Sequence, residues 1–189
     1  MILRLILTSL LVLVSSSVWS LDLKTVLENT AVTPPDRVVF REERHNPMLK
    51  EPIKLTGYLE YLKPGRLRKV VETPFEEAFL IAESYIEIER DGETRRLSLG
   101  KSKPIRAMLG GIEAVLAGQT DILASLFRYE LSGTASDWSL RLEPISRRVS
   151  AHLTVMLVKG DEDSVNSIRL ELKDGEWSLM EMSAVESVP

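Results

Sequence analysis

The chain has 189 residues, a formal net charge of −4, no cysteine and two histidines. That length supports a sizeable core without covalent staples, and the missing thiols exclude a disulfide framework, a thiol nucleophile, a zinc–thiolate site and a lipobox anchor. The balance is mildly acidic with no dominant basic tract, so nucleic acid is not an expected partner.

The first twenty residues read as a secretory signal. Arg4 is a short basic start, residues 5–14 are nearly continuous apolar sequence, and Val18 and Ser20 stand at the −3 and −1 positions of a cleavage site. The apolar run is shorter than the ~20 residues that span a bilayer, so cleavage is expected rather than anchoring. Arg4 is the one charge in this stretch, and its removal takes the formal charge to −5. Residues 21–189 are then expected to be one soluble domain in the periplasm.

Asp22 caps a short helix over residues 22–29, with Leu23, Val26 and Leu27 on one face, and Thr33-Pro34-Pro35-Asp36 ends it. Residues 37–45 read as a strand, and Asn46-Pro47 turns the chain. In the next strand Ile53, Leu55, Gly57, Leu59 and Tyr61 alternate with Lys54, Thr56, Tyr58 and Glu60, with Gly57 marking a bend or bulge. Lys63-Pro64-Gly65 joins it as a hairpin to a strand over 66–71. Two strands occupy 75–90, and Asp91-Gly92, the favoured two-residue hairpin connection, leads to another over 93–99.

Between residues 101 and 128 the rhythm becomes helical. Ile105, Met108, Leu109, Ile112, Val115 and Leu116 form one stripe, with Ser102 as cap, Pro104 in the first turn and Gly118 at the end. Thr120-Asp121 opens a second helix carrying Ile122, Leu123, Leu126 and Phe127, and Gly110-Gly111 implies close backbone packing or a kink. Strand patterns return at 129–133, at 138–144 with Trp138, Leu140 and Leu142 on one face, and at 149–157. In that last strand Val149, Ala151, Leu153, Val155 and Leu157 oppose His152, Thr154 and Met156. Strands over 165–173 and 177–185 follow, joined by Asp174-Gly175. A greasy helical element set into antiparallel strands fits a lid over an apolar cavity; it equally fits a helix that plugs an ordinary core.

Catalytic chemistry is thinly provided. His45 and His152 are far apart, and neither sits in a metal-binding helix motif. No G-x-S-x-G elbow or phosphate loop occurs, and the carboxylates are scattered through strands. No catalytic residue, metal or cofactor is expected.

From Gly57-Tyr-Leu-Glu-Tyr-Leu-Lys-Pro-Gly-Arg-Leu-Arg-Lys69 to Thr73-Pro74, the chain resembles the LolA family of periplasmic carriers for outer-membrane lipoproteins. Phe40-Arg41 before this hairpin, and Trp138-Ser-Leu-Arg-Leu-Glu-Pro144 followed by paired C-terminal strands, occur in the family's order. The likeness spans residues 22–183 and is nearest to a divergent branch. It implies a mainly β protein with some α: a strongly curved, incompletely closed antiparallel β-barrel with a helical lid. It also implies a cavity that shields acyl chains of a lipoprotein or related lipid between an inner-membrane donor and an outer-membrane acceptor, acting as a monomer. On that fold the cavity wall would present Leu55, Leu59, Leu67, Ile86, Ile88, Leu140, Leu142, Leu153 and Val155, with Met108, Leu109, Ile112 and Leu116 on the lid. The family's turn carries an Arg that latches the lid; here Lys63 stands in its place, without the planar fork. The second functional reading is a periplasmic protein-interaction or sensor module built on the same half-barrel.

Overall fold

The computed structural model describes residues 21–33 and 36–184; the expected signal sequence at residues 1–20 lies outside the described residues. Helix α1 (Leu23–Asn29) begins where Asp22 Oδ2 accepts from the Thr25 N–H at 3.0 Å, and it buries Leu23, Val26 and Leu27. Strands β1 (Asp36–His45), β2 (Ile53–Lys63), β3 (Arg66–Thr73), β4 (Glu77–Ala82), β5 (Tyr85–Arg90) and β6 (Glu93–Ser98) then form a meander in which each pairs with the one before it. After a 3-10 turn come α2 (Lys103–Leu116) and α3 (Thr120–Leu126). A second meander follows: β7 (Phe127–Thr134), β8 (Asp137–Pro144), the short α4 (Arg147–Ser150), β9 (Leu153–Gly160), β10 (Val165–Leu172) and β11 (Trp177–Ala184).

Pairing of β1 with β11 welds the two meanders into one eleven-stranded antiparallel sheet, ordered β6-β5-β4-β3-β2-β1-β11-β10-β9-β8-β7. The sheet does not close. Its edges are β6 and β7, which are consecutive strands in the chain yet lie at opposite ends of the sheet. The segment between them must therefore reach from one edge to the other, and that segment is α2 and α3. Fully exposed β6, with Glu93, Arg95 and Arg96 along it, blunts its edge by charge.

Two hinges of the sheet are built by glycine and turn chemistry. At Asp91 and Gly92 φ is 53° and 76°, the left-handed pair that a tight hairpin requires. Gly57 lies at a register shift between β2 and β3, where a Cβ would come 1.9 Å from the Val70 carbonyl oxygen. No side chain fits there.

The core is divided. A larger cluster joins α1, α2 and α3 to β7–β10 through Leu27, Val115, Leu123, Phe127, Trp138, Leu140, Leu142 and Leu153. A smaller one lies on β1–β3, with Phe40, Leu55, Leu59 and Val71. Three local expectations are corrected. Residues 147–150 form a helical turn rather than the start of a strand. Ser102 occupies the N-cap position of α2 without a side-chain capping bond, and Gln119, not Thr120 or Asp121, holds that position in α3. In β9 the expected faces do not hold throughout, because the β9–β10 register shifts between Glu171 and Leu172. Leu153 and Met156 therefore both enter the core, joined by Val158, whereas Leu157 is half-buried opposite Arg169.

Candidate functional site: the seam beneath the helical cover

Helix α2 has two unlike flanks. Gly111, Ala114 and Val115 are buried toward the larger cluster. Gly111 is needed for that contact: a Cβ there would lie 2.6 Å from the Phe127 ring, so the helix backbone rides directly on β7. On the other flank Leu109, Ile112 and Leu116 face β2–β4 across a gap.

That gap contains open space. One pocket of about 170 Å³ is lined by Tyr61, Leu67 and Ile81 of the sheet, by Leu99, and by Leu109, Ile112 and Leu116 of α2. A second, of about 270 Å³, adjoins it and is lined by Val38, Leu59, Val165 and Met182 together with the charged Asp36, Arg37 and Asp163. The two meet at Tyr61, Leu67 and Leu116, which line both. A dry apolar cavity of about 150 Å³ accepts one benzene. Each pocket is therefore large enough for a short stretch of hydrocarbon, and a longer guest requires the cover to move.

Among the described residues one hydrogen bond ties α2 to the β2–β3 turn across this seam. Glu113 of α2 accepts a hydrogen bond from the backbone N–H of Gly65, in the β2–β3 turn. Burial first, and then the Glu113 charge, push the Tyr61 phenol above its ordinary range, as expected for groups facing one another in a poorly hydrated gap. Lys63, two residues before Gly65, is exposed and has no hydrogen bond or ion pair among the described residues. The turn thus meets the helix through its backbone, not through the basic side chain.

The remaining residues expected at the site fall into different surroundings. Leu59 and Leu67 line the pockets. Leu55 is buried in the smaller cluster and lines neither. Ile86 and Ile88 are half-buried on β5, in register with Ile81 and Phe79. Leu140, Leu142 and Leu153 are 0% exposed in the larger cluster, where the protein's own side chains occupy the space. Val155 is 1% exposed and belongs to neither cluster. Met108 packs on the larger cluster and borders a separate pocket beside Trp177. Ile105, expected on the buried stripe, is 42% exposed at the start of α2. The wall over β8 and β9 is therefore solid; the smaller pocket lies over β2–β4, and the larger one that adjoins it reaches β1, β10 and β11.

On β1 and β3, Glu42 and Lys69 form a buried ion pair beside Phe40 of the smaller cluster. Arg44 Nε donates to Glu42 Oε1 at 2.8 Å, and the Lys69 ammonium stands 4.8 Å from the centre of the Phe40 ring. Burial alone would raise the Glu42 carboxyl, but the Arg44 hydrogen bond and the Lys69 and Arg44 charges outweigh it and hold the group below the usual carboxylate range. Among the described residues no group of three or more His, Asp or Glu side chains is arranged to hold a metal ion, and no helix is long and apolar enough to cross a membrane.

An unclosed antiparallel sheet, bridged from edge to edge by helices over an apolar seam, has the architecture of lipid and lipoprotein carriers. The sequence matches the family described as "Outer membrane lipoprotein carrier protein LolA-like" over residues 15–184, and the chain belongs to that family. No curated protein matches it significantly in sequence. Among solved structures it is similar to a LolA superfamily protein from Nitrosomonas europaea, at 14% identity over 90% of this chain and 96% of that one, with a TM-score of 0.45. The Mycobacterium tuberculosis lipoprotein LppX is similar at 10% identity over 88% and 97% of the two chains, TM-score 0.46. The Pseudomonas aeruginosa MucA/MucB complex gives 12% identity over 88% of this chain and 59% of that one, TM-score 0.46. Likeness at these levels bears on neither cargo nor partner.

Proposed function

We propose that this protein is a periplasmic carrier, not a catalyst, which shields the acyl chains of a lipoprotein or related lipid in the seam between β2–β4 and α2. In the same proposal residues 1–20 direct export, residues 21–189 act as one carrier domain, and cargo passes from an inner-membrane donor to an outer-membrane acceptor. The observation that carries the reading is the pair of adjoining apolar pockets that meet at Tyr61, Leu67 and Leu116. Each methylene moved from water into such a seam contributes about 0.8 kcal/mol, so about ten of them contribute on the order of 8 kcal/mol toward displacing the cover. The Glu113–Gly65 contact supports a cover held shut by one displaceable bond, in place of the latch expected at Lys63.

Lipid extraction and mass spectrometry of protein purified from its native host test the reading: acylated molecules should co-purify at a fixed stoichiometry. A Leu67→Trp variant, which fills the shared junction, should lose them while remaining folded. Recovery of a lipid-free wild-type protein that also fails to take up an acyl fluorophore would overturn the carrier reading. If a photo-crosslinker at Leu109 then captured protein alone, the interaction-module reading would replace it.

A further inference from the structure

The lining of the smaller pocket is largely apolar and carries four charged side chains, Arg66, Arg106, Glu83 and Glu113. Arg66, at the start of β3, and Arg106, in the second turn of α2, both border it. Neither takes part in an ion pair among the described residues, although the exposed Arg and Lys side chains elsewhere on the sheet commonly do. Arg66 Nε is also the one buried side-chain nitrogen or oxygen without a hydrogen-bond partner among the described residues. A guanidinium stays charged at any physiological pH, so a buried, unpaired N–H on it is a donor held ready for an acceptor the protein does not supply. The carboxylates on the same lining leave it unanswered: Glu113 is engaged by the Gly65 N–H, and the exposed Glu83 forms no ion pair among the described residues.

We propose that Arg66 and Arg106 form a binding site for the oxyanion of the cargo, a phosphate or carboxylate at the head of an acylated molecule. The inference rests on the carrier reading and names the polar end of its ligand. Arg66 comes from the sheet and Arg106 from the cover, so one oxyanion accepts from both sides of the seam, in the forked geometry that guanidinium offers to phosphate and carboxylate. The hydrocarbon then runs away from them along Leu67, Ile112 and Leu116 into the second pocket. Two guanidinium groups on an otherwise largely apolar lining offer an anionic amphiphile both kinds of contact.

The test measures binding of the purified protein to lysophosphatidic acid and to monoacylglycerol of identical acyl chain, with inorganic phosphate as a separate ligand. Wild-type protein should bind the anionic lipid roughly tenfold or more tightly than the neutral one, as two charge-assisted contacts require. Arg106→Gln, an exposed position whose replacement does not disturb the core, should collapse that ratio toward one. Arg66→Lys should lower it less, because a point charge remains after the fork is lost. Equal binding of both lipids by the wild type overturns the headgroup assignment and leaves the carrier reading standing. Binding of neither lipid overturns both. Inorganic phosphate that binds as tightly as the anionic lipid would show a free-anion site and overturn the assignment to an amphiphile.

Discussion

Replacing Glu113 by Ala removes the one hydrogen bond between α2 and the β2–β3 turn while leaving Ala114 and Val115 in the core. A hydrogen bond to an ionised acceptor contributes about 1.5–3 kcal/mol, and the half-buried setting of Gly65 argues for the lower half of that range. At about 1.4 kcal/mol per decade, the population with the cover detached should rise roughly ten- to fortyfold. Native-state hydrogen exchange reads this directly. The Gly65 amide and the amides of the second half of α2 should lose protection by that factor, whereas amides of β8 and β9, fixed in the larger cluster, should not change. Glu113→Gln keeps a neutral acceptor and should give a smaller effect. Unchanged exchange at Gly65, or an equal rise in β8 and β9, would refute the reasoning, since the first denies the bond and the second makes its loss global rather than local.

Leu142→Ala should cost about 2–5 kcal/mol in urea denaturation and leave acyl binding intact, because the residue fills solid core; a reduced affinity at unchanged stability would place the cavity elsewhere. Gly57→Ala forces a Cβ to within 1.9 Å of the Val70 carbonyl oxygen and should destabilise the fold by about 3 kcal/mol, and a neutral result would mean the β2–β3 bulge relaxes freely. Glu42 has a lowered folded-state pKa, so its stabilisation is complete above the ordinary carboxylate value of 4.5 and is lost as pH falls through the folded-state value. Glu42→Gln, which strands buried Lys69, should therefore be about 3–5 kcal/mol less stable at pH 7. The gap should narrow as pH falls below 4.5 through the folded-state value, and a pH-independent gap would contradict the assignment.

Much of the sheet was legible because its turns are written in local chemistry. Asp91-Gly92, Lys63-Pro64-Gly65 and the alternation in β2 each fix a hairpin without help from distant residues. The faces of β9 were not, because the shift opposite Glu171 and Leu172 is decided by the partner strand and not by β9 itself. The helical stripe on α2 was readable as apolar, but not which flank meets solid core. That depends on Gly111 admitting the Phe127 ring and on the volume left over at Leu116. Glu113 carries a signal in the sequence itself. It is the only carboxylate in α2 and stands four residues after Leu109 and three before Leu116, so helical geometry puts it on the greasy side. An acid in that place requires a donor, and the Gly65 amide provides it.

The missing side chain at Gly111 constrains how the cover can travel. The α2 backbone is seated on an aromatic ring along one flank and faces open space along the other, so the helix is packed asymmetrically. A helix with side chains is about 10–12 Å across, so a roll of about 20° carries Leu109 and Leu116 by about 2 Å. Under the proposed carrier function, displacements of that size would widen the passage for a guest's hydrocarbon, with Gly111 as the pivot.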